Sequence, residues 1–92
     1  MTNVDVNTKE LIRQFVVDTF MFGDEGDLAD EDSLIASGVM DSTGVLELVA
    51  FIEEQFAFKI EDVEMTPENL DGIHRIVTYI EARRPTADVW ER

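Results

Sequence analysis

The 92-residue chain has no cysteine, and it contains few basic residues, one histidine and two prolines. Without cysteine, neither a disulfide framework nor a thiolate metal site can form. Seven lysines and arginines stand against 21 aspartates and glutamates, for a formal net charge of −14. Because a surface that binds phosphate backbones must be positive, this balance argues against nucleic acid as a partner and favours basic protein surfaces.

Long apolar runs are also missing. The longest, residues 48–52, is far too short to span a bilayer, and residues 1–10 lack the apolar stretch of a signal peptide. These absences predict a cytoplasmic protein without membrane insertion. A chain of this length has room for one small domain, which would bury about 60% of its unfolded surface. A deep catalytic cleft is hard to build at that size, so we expect a monomeric single domain over 1–92 that is not an enzyme.

Apolar residues recur at three- and four-residue spacing in three segments, a pattern typical of amphipathic helices. The first predicted helix covers 8–22, with a capping-box pattern at Asn7 and Glu10 and a terminator at Gly23. The second covers 42–55. Its apolar face, which we expect to meet the first helix, consists of Val45, Leu48, Val49, Ile52 and Phe56.

The segment Thr66-Pro67-Glu68 has the residue order of a helix start, with a hydroxyl cap, proline at the first helical position and then an acid. It predicts a short third helix that ends near 71–72. The last predicted helix covers 72–84 and is stopped by Pro85. Apolar and other residues alternate over 57–60, but a single strand would have no partner, so we expect an extended connection there.

The connection over 23–40 is long and acidic, and we expect Leu34, Ile35 and Val39 to attach it to the core. The predicted fold is therefore all-α. It is a small antiparallel four-helix bundle with three longer helices, one short third helix and a long loop between helices 1 and 2. The predicted helical core spans about 8–84, and we expect 85–92 to form a flexible tail.

Acidic side chains cluster in the long loop, which raises the question of a calcium site. The six acids are Asp24, Glu25, Asp27, Asp30, Glu31 and Asp32. They do not occupy the first, third and fifth positions of an EF-hand loop with glycine at the sixth. The sequence therefore predicts no specific metal site, while weak divalent binding that relieves self-repulsion stays open.

The pair Asp41-Ser42 lies where a polar turn gives way to the second predicted helix. Either residue can act simply as a helix cap. A hydrolase-type serine would need a base, but His74 is the only histidine, and the Gly-x-Ser-x-Gly pattern is absent. No catalytic residue is therefore predicted. A phosphodiester on this hydroxyl would lie beside free backbone N–H groups at the positive end of the helix dipole.

Four local segments resemble acyl carrier proteins, and the resemblance extends over about 8–83. The segments are 34–42 (LIASGVMDS), 47–48 (EL), 51–56 (FIEEQF) and 67–70 (PENL). In that family a serine carries 4′-phosphopantetheine, attached by a phosphopantetheinyl transferase, and acyl groups are held on the arm as thioesters. The resemblance implies that Ser42 is the attachment point and that Asp41 faces partner enzymes. It further implies a carrier in fatty-acid, polyketide or related specialised biosynthesis.

Two residues after Ser42 depart from the family pattern. Many fatty-acid carriers have leucine and then an acid at these positions, where this chain has Thr43 and Gly44. The departure removes an apolar contact and a charge and introduces a poor helix former. It favours a specialised carrier, such as one loaded by an adenylate-forming ligase, over the housekeeping one.

The outer side of the second predicted helix combines acids with exposed apolar residues. Together with the resemblance, this predicts a face that binds acyl-loading and acyl-processing enzymes with basic docking surfaces. Its residues are Thr43, Leu46, Glu47, Ala50, Glu53 and Glu54. Taken alone, the pattern equally describes a solvated acidic face.

Two other functions stay open at this stage. One is an aminoacyl or peptidyl carrier, although the acidity of the second helix favours acyl cargo. The other is a non-carrier acidic helical adaptor or ion-binding module, in which Ser42 is only a cap.

Overall fold

The computed structural model describes residues 4–83, with side chains from Thr8 to Arg83. Within this range the chain is all-helical, which confirms the predicted fold class of three longer helices and one short one. The predicted tail at 85–92 lies outside the described residues, as does Arg84. The helices are α1 (Val4–Phe20), α2 (Ser42–Phe56), α3 (Pro67–Leu70) and α4 (Ile73–Arg83), with a 3₁₀ helix at Asp62–Glu64.

Helix α1 begins before the predicted start. Asn7 lies inside the helix, so the predicted capping box with Glu10 is wrong. No glycine or proline interrupts 4–20, and nothing therefore stops the helix from extending toward the N-terminus. At the other end, Phe22 and Gly23 take left-handed φ values of +56° and +85°. The Gly23 N–H donates to the Val17 carbonyl at 2.9 Å, so Gly23 acts in the helix end as predicted.

Helices α1 and α2 pack antiparallel. The Phe15 ring stacks on Phe51 with the ring centroids 4.1 Å apart, and Phe20 at the end of α1 meets Gly44 at the start of α2. The predicted core positions on α2 are correct, since Leu48, Val49 and Ile52 are buried. Val45 and Phe56 pack against this core while partly exposed. The largest fully buried apolar side chains are Ile12, Val16, Leu34, Leu48, Ile52, Ile73, Ile76 and Ile80.

The long loop is anchored to the core by Leu28, Leu34 and Met40, all of which are buried. Val39 packs against the core as predicted. Ile35, by contrast, is 45% exposed, so its predicted anchoring is wrong. Its neighbour Leu34 takes the inward position, and the tight turn over 34–38 leaves the next side chain facing out.

Asp30 ties the loop to two helices. Its carboxylate pairs with Lys9 at 2.5 Å and with Arg13 at 3.1 Å, both on α1. Its carbonyl accepts the backbone N–H of His74 at 3.0 Å, at the start of α4. The His74 side chain is exposed.

Asp71, just after α3, makes a second set of loop contacts. Its carboxylate accepts the Ser33 hydroxyl at 2.5 Å and the Ile35 N–H at 2.8 Å. Gly72, with φ +149°, lets the chain pass close to the loop, because a Cβ there would lie 3.1 Å from the Asp32 carbonyl oxygen. These contacts hold the loop so that its last residues lead directly into α2.

The segment between α2 and α3 is largely extended. Residues 57–61 form the predicted connection, with Ile60 buried, and the 3₁₀ helix that follows them was not predicted. Pro67 is the first residue of α3 as predicted, whereas Thr66 at the cap position makes no capping hydrogen bond with its side chain. None of the described helices has the length and apolar character needed to cross a membrane.

Candidate functional site

The start of α2 is capped by Asp41. Its backbone is extended (φ −116°, ψ −172°), and its carboxylate accepts the Gly44 N–H at 2.9 Å. Its carbonyl accepts the Val45 N–H at 3.0 Å, which is the first hydrogen bond of the helix ladder. Because Asp41 meets the capping requirement, Ser42 is left as the first residue of the helix.

The Ser42 side chain is exposed, and no hydrogen bond to its hydroxyl is found among the residues that the structure describes. The N–H groups of Ser42 and Thr43 belong to the first turn, where the helix itself offers no acceptor. These donors and the positive end of a 15-residue helix favour an anion at this point. The geometry therefore fits a phosphodiester on the Ser42 oxygen.

Gly44 has a packing role that sequence reasoning missed. It is buried, and a Cβ at this position would lie 2.8 Å from Phe20 Cε1 and 2.9 Å from Met40 Cγ. The available signal was a glycine in the first turn of an amphipathic helix, which is costly unless a neighbouring group needs the space. Here the end of α1 occupies that space, and the contact lies two residues from Ser42.

Most of the predicted partner face is exposed on one side of α2. Leu46 is 62% exposed, and Thr43, Glu47, Ala50 and Glu54 are also exposed.

Glu53 differs from the rest of this predicted face because it is only half-exposed. Its carboxylate accepts the Ile60 N–H at 2.8 Å and lies 4.0 Å from the Lys59 ammonium. Glu53 therefore has a structural role, because its carboxylate binds the segment that follows α2 through the Ile60 N–H. Glu47 and Glu54 remain as the exposed acids of the face.

A small apolar cavity of about 70 Å³ lies between the start of α2 and α3. Met40, immediately before the Asp41-Ser42 pair, is one of its walls. The other lining residues are Ile35, Val45, Met65, Thr66, Pro67, Leu70 and Asp71. A cavity of about 150 Å³ accepts a benzene molecule, so this one has room for only a few heavy atoms.

Glu64 ties the 3₁₀ helix to α4. Its carboxylate accepts the Tyr79 hydroxyl at 2.9 Å, a guanidinium N–H of Arg83 and the Glu61 N–H at 3.1 Å. The Glu61 hydrogen bond, supported by those of Tyr79 and Arg83, lowers the pKa of Glu64. Burial, together with the Glu64 carboxylate, raises the pKa of Tyr79 to about 12. This cluster fixes the segment that supplies Met65 to the cavity.

Four of the six acids of the long loop, Asp24, Glu25, Asp30 and Asp32, make contacts within the fold. Arg13 pairs with Glu25 and donates to the Leu28 carbonyl, in addition to its contact with Asp30. Within residues 8–83, no group of three or more histidine, aspartate or glutamate side chains could hold a metal ion.

Comparison with known proteins identifies relatives that match most of the chain. The chain is 34% identical over 76 residues to the D-alanyl carrier proteins of Streptococcus equi subsp. zooepidemicus (strains MGCS10565 and H70) and subsp. equi (strain 4047). Each match covers 83% of this chain and 94% of the relative. No family model matches the chain.

This similarity, with the four-helix fold, shows that the chain belongs to the phosphopantetheine-binding carrier proteins, a family that includes the D-alanyl carriers and is related to the acyl carrier proteins. The resemblance to a carrier family is thereby confirmed. Carriers of this type hold a covalent 4′-phosphopantetheine arm. Such proteins work with a phosphopantetheinyl transferase and with further partner enzymes.

Proposed function

We propose that Ser42 carries the 4′-phosphopantetheine arm and that the protein presents cargo on it to partner enzymes. The observation that supports this most is that Asp41 and Ser42 have separate roles at the start of α2. Asp41 caps the helix, so the exposed Ser42 hydroxyl is free to be modified without loss of the cap. When bound, the arm supplies a terminal thiol that holds a carboxylic acid as a thioester.

The protein's own residues position this arm rather than react with the cargo. The Asp41 cap fixes the first turn of α2, and the contact between Phe20 and Gly44 holds that turn against α1. The unsatisfied N–H groups of the first turn stabilise the negative charge of a phosphodiester. These contacts fix the position of the attachment point relative to α1 and α2.

For the cargo, we favour a small aminoacyl group such as D-alanyl. Relatives at 34% identity are named D-alanyl carriers, and the cavity beside Ser42 is too small for a long chain without opening of the bundle. The acidity of α2, which first suggested acyl cargo, does not discriminate, because an acidic face steers any basic partner. A carrier of acyl chains in fatty-acid or polyketide synthesis is the second candidate, favoured by the apolar lining of the same cavity.

The partners we propose have basic docking surfaces. They are a phosphopantetheinyl transferase and a loading enzyme, with an adenylate-forming ligase as the expected class. The exposed carboxylates of Glu47 and Glu54 would steer these enzymes, and Leu46 would enter an apolar groove.

The attachment point is tested by intact mass after incubation with coenzyme A, Mg²⁺ and a broad-specificity phosphopantetheinyl transferase. We expect a gain of one phosphopantetheine in the wild type, none in Ser42→Ala, and the full gain in the control Ser37→Ala, which removes another exposed serine. If several transferases that modify known carriers leave the wild type unchanged, the proposal is wrong.

The cargo is tested on protein purified from its own cells under conditions that preserve thioesters. Intact mass before and after hydroxylamine treatment reports the group released from the thiol. An aminoacyl mass supports the proposal, and chiral analysis of the released amino acid identifies D-alanine. A long-chain acyl mass would decide for the second candidate.

A further inference from the structure

Phe22 combines two unusual properties. Its side chain is 93% exposed, the highest value among the large apolar residues described. Its backbone φ is +56°, in the left-handed region that bulky side chains rarely adopt. Glycine would satisfy this conformation without strain, and burial does not explain the aromatic ring. A strained and exposed residue of this kind points to a contact outside the chain.

The position of Phe22 places it at the same end of the bundle as Ser42. Phe20, two residues earlier, lies against Gly44, which is two residues after Ser42. With about 3.8 Å between successive Cα atoms, and with the length of the Phe20 side chain added, these links keep Phe22 within roughly 24 Å of Ser42. One side of a standard protein interface covers about 800 Å², which is roughly 30 Å across, so both residues fit in one footprint.

The surroundings of Phe22 are acidic. Asp24, Glu25 and Asp27 follow it in the loop and are exposed. The Asp24 carboxylate accepts the Gly26 N–H at 3.2 Å, which shapes the turn, and Glu25 pairs with Arg13. An exposed aromatic ring followed in the loop by exposed carboxylates is complementary to an apolar pocket with a basic rim.

We propose that Phe22 is an anchor for the phosphopantetheinyl transferase that modifies Ser42, with its ring seated in an apolar pocket on a basic surface of that enzyme. This inference rests on the proposed function. The transferase is the chosen partner because it must reach the serine hydroxyl itself, and its interface therefore has to surround Ser42. Enzymes that act on the thiol at the end of the arm can dock farther away.

The test measures the rate of phosphopantetheine addition as a function of the concentration of the unmodified carrier. Phe22→Asn removes the ring and tolerates a left-handed φ, so the fold is retained. We expect its KM to rise on the order of tenfold with little change in kcat, as for the loss of an aromatic anchor. Phe22→Leu keeps an apolar group and should restore most of the affinity.

Leu11→Ser serves as the matched control. Leu11 is also exposed, at 37%, but lies on α1 nine residues before Phe20, about 14 Å farther along the helix from the Ser42 end. Its kinetics should equal those of the wild type. Sedimentation velocity of wild type and Phe22→Asn reports self-association in parallel.

The outcomes separate the two proposals. If the wild type gains no phosphopantetheine, both the proposed function and the role of Phe22 are overturned. If the wild type is modified but Phe22→Asn has an unchanged KM, only the role of Phe22 is overturned. An unchanged KM together with lost self-association would assign Phe22 to contact with a second copy of the chain.

Discussion

The ring of Phe20 occupies the space that a side chain at residue 44 would need. A Cβ on Gly44 would lie 2.8 Å from Phe20 Cε1, closer than real Cβ contacts allow. The contact joins the end of α1 to the first turn of α2, two residues from Ser42. Many fatty-acid carriers have an acid where this chain has Gly44. Here the absence of a side chain at residue 44 leaves space that Phe20 of the neighbouring helix fills.

Gly44→Ala should destabilise the protein although alanine is the better helix former. The gain in propensity is about 1 kcal/mol, while overpacking typically costs about 1–3 kcal/mol, so we expect a net loss of about 1 kcal/mol in unfolding free energy. In a Phe20→Ala background the same change should cost less, because only the contact with Met40 Cγ at 2.9 Å remains. Urea unfolding of the four proteins gives the coupling energy. Equal effects in both backgrounds would show that Phe20 does not require the glycine.

Phe22→Gly should raise the unfolding free energy of the protein, and it should also raise the KM of the transferase for the unmodified carrier. Relief of left-handed strain, offset by the entropy of glycine in the unfolded chain, should raise the unfolding free energy by about 1 kcal/mol, or several degrees in Tm. Ala57→Gly should also raise the unfolding free energy, because Ala57 has a left-handed φ of +60°. The control Ala29→Gly lies in the same loop without a positive φ and should lose stability. A lower Tm for Phe22→Gly would contradict the strain assigned here.

Glu64 should make stability depend on pH in the acid range. Its pKa is lowered in the folded protein, so its stabilising contribution is present above the ordinary value of 4.5 and is lost as the pH falls through the lowered pKa. The difference in unfolding free energy between wild type and Glu64→Gln should therefore shrink as the pH falls below about 4.5. Urea unfolding at several pH values measures it. A difference that stays constant across this pH range would contradict the role assigned to Glu64.

Tyr79 should make stability depend on pH in the alkaline range. Its pKa is raised to about 12, so its contribution is present below the ordinary value of 10.0 and is lost as the pH rises through about 12. Tyr79→Phe should abolish this alkaline loss of stability, while lowering stability at neutral pH through loss of the hydrogen bond to Glu64. Thermal unfolding from neutral pH to about pH 12 tests both parts. An alkaline loss that persists in Tyr79→Phe would assign it to another group.

We expect the acids of α2 to have two different roles. Some attract basic partner enzymes, and one stabilises the fold. Glu47→Lys with Glu54→Lys should slow phosphopantetheine addition and reduce its salt dependence with the fold intact. Glu53→Ala should instead lower stability by about 1–3 kcal/mol, because the buried Ile60 N–H loses its acceptor. Transferase kinetics at two salt concentrations and urea unfolding distinguish the two effects. Unchanged kinetics in the double lysine variant would show that these two acids of α2 do not take part in docking.

Local signals accounted for much of the fold. The three-and-four spacing predicted the core face of α2, and Pro67 predicted the first residue of α3, since both effects act within one or two turns. Errors arose where several local solutions were possible. Asn7 can cap a helix or lie within it, and either Leu34 or Ile35 could have turned inward. Contacts with the rest of the bundle made the second choice, in which Leu34 is buried and Ile35 is exposed.

By itself, the sequence determined the helical class, the acidic character and the placement of Ser42 at the start of a helix, because these depend on composition and on short-range periodicity. Only the tertiary structure decided that Asp41 caps this helix, that Gly44 makes room for Phe20 and that Glu53 is tied to Ile60. The packing of Gly44 against Phe20 joins residues more than 20 positions apart, and the hydrogen bonds of Asp41 and Glu53 depend on where the backbone places a single N–H. Side-chain spacing along the chain does not encode such placements.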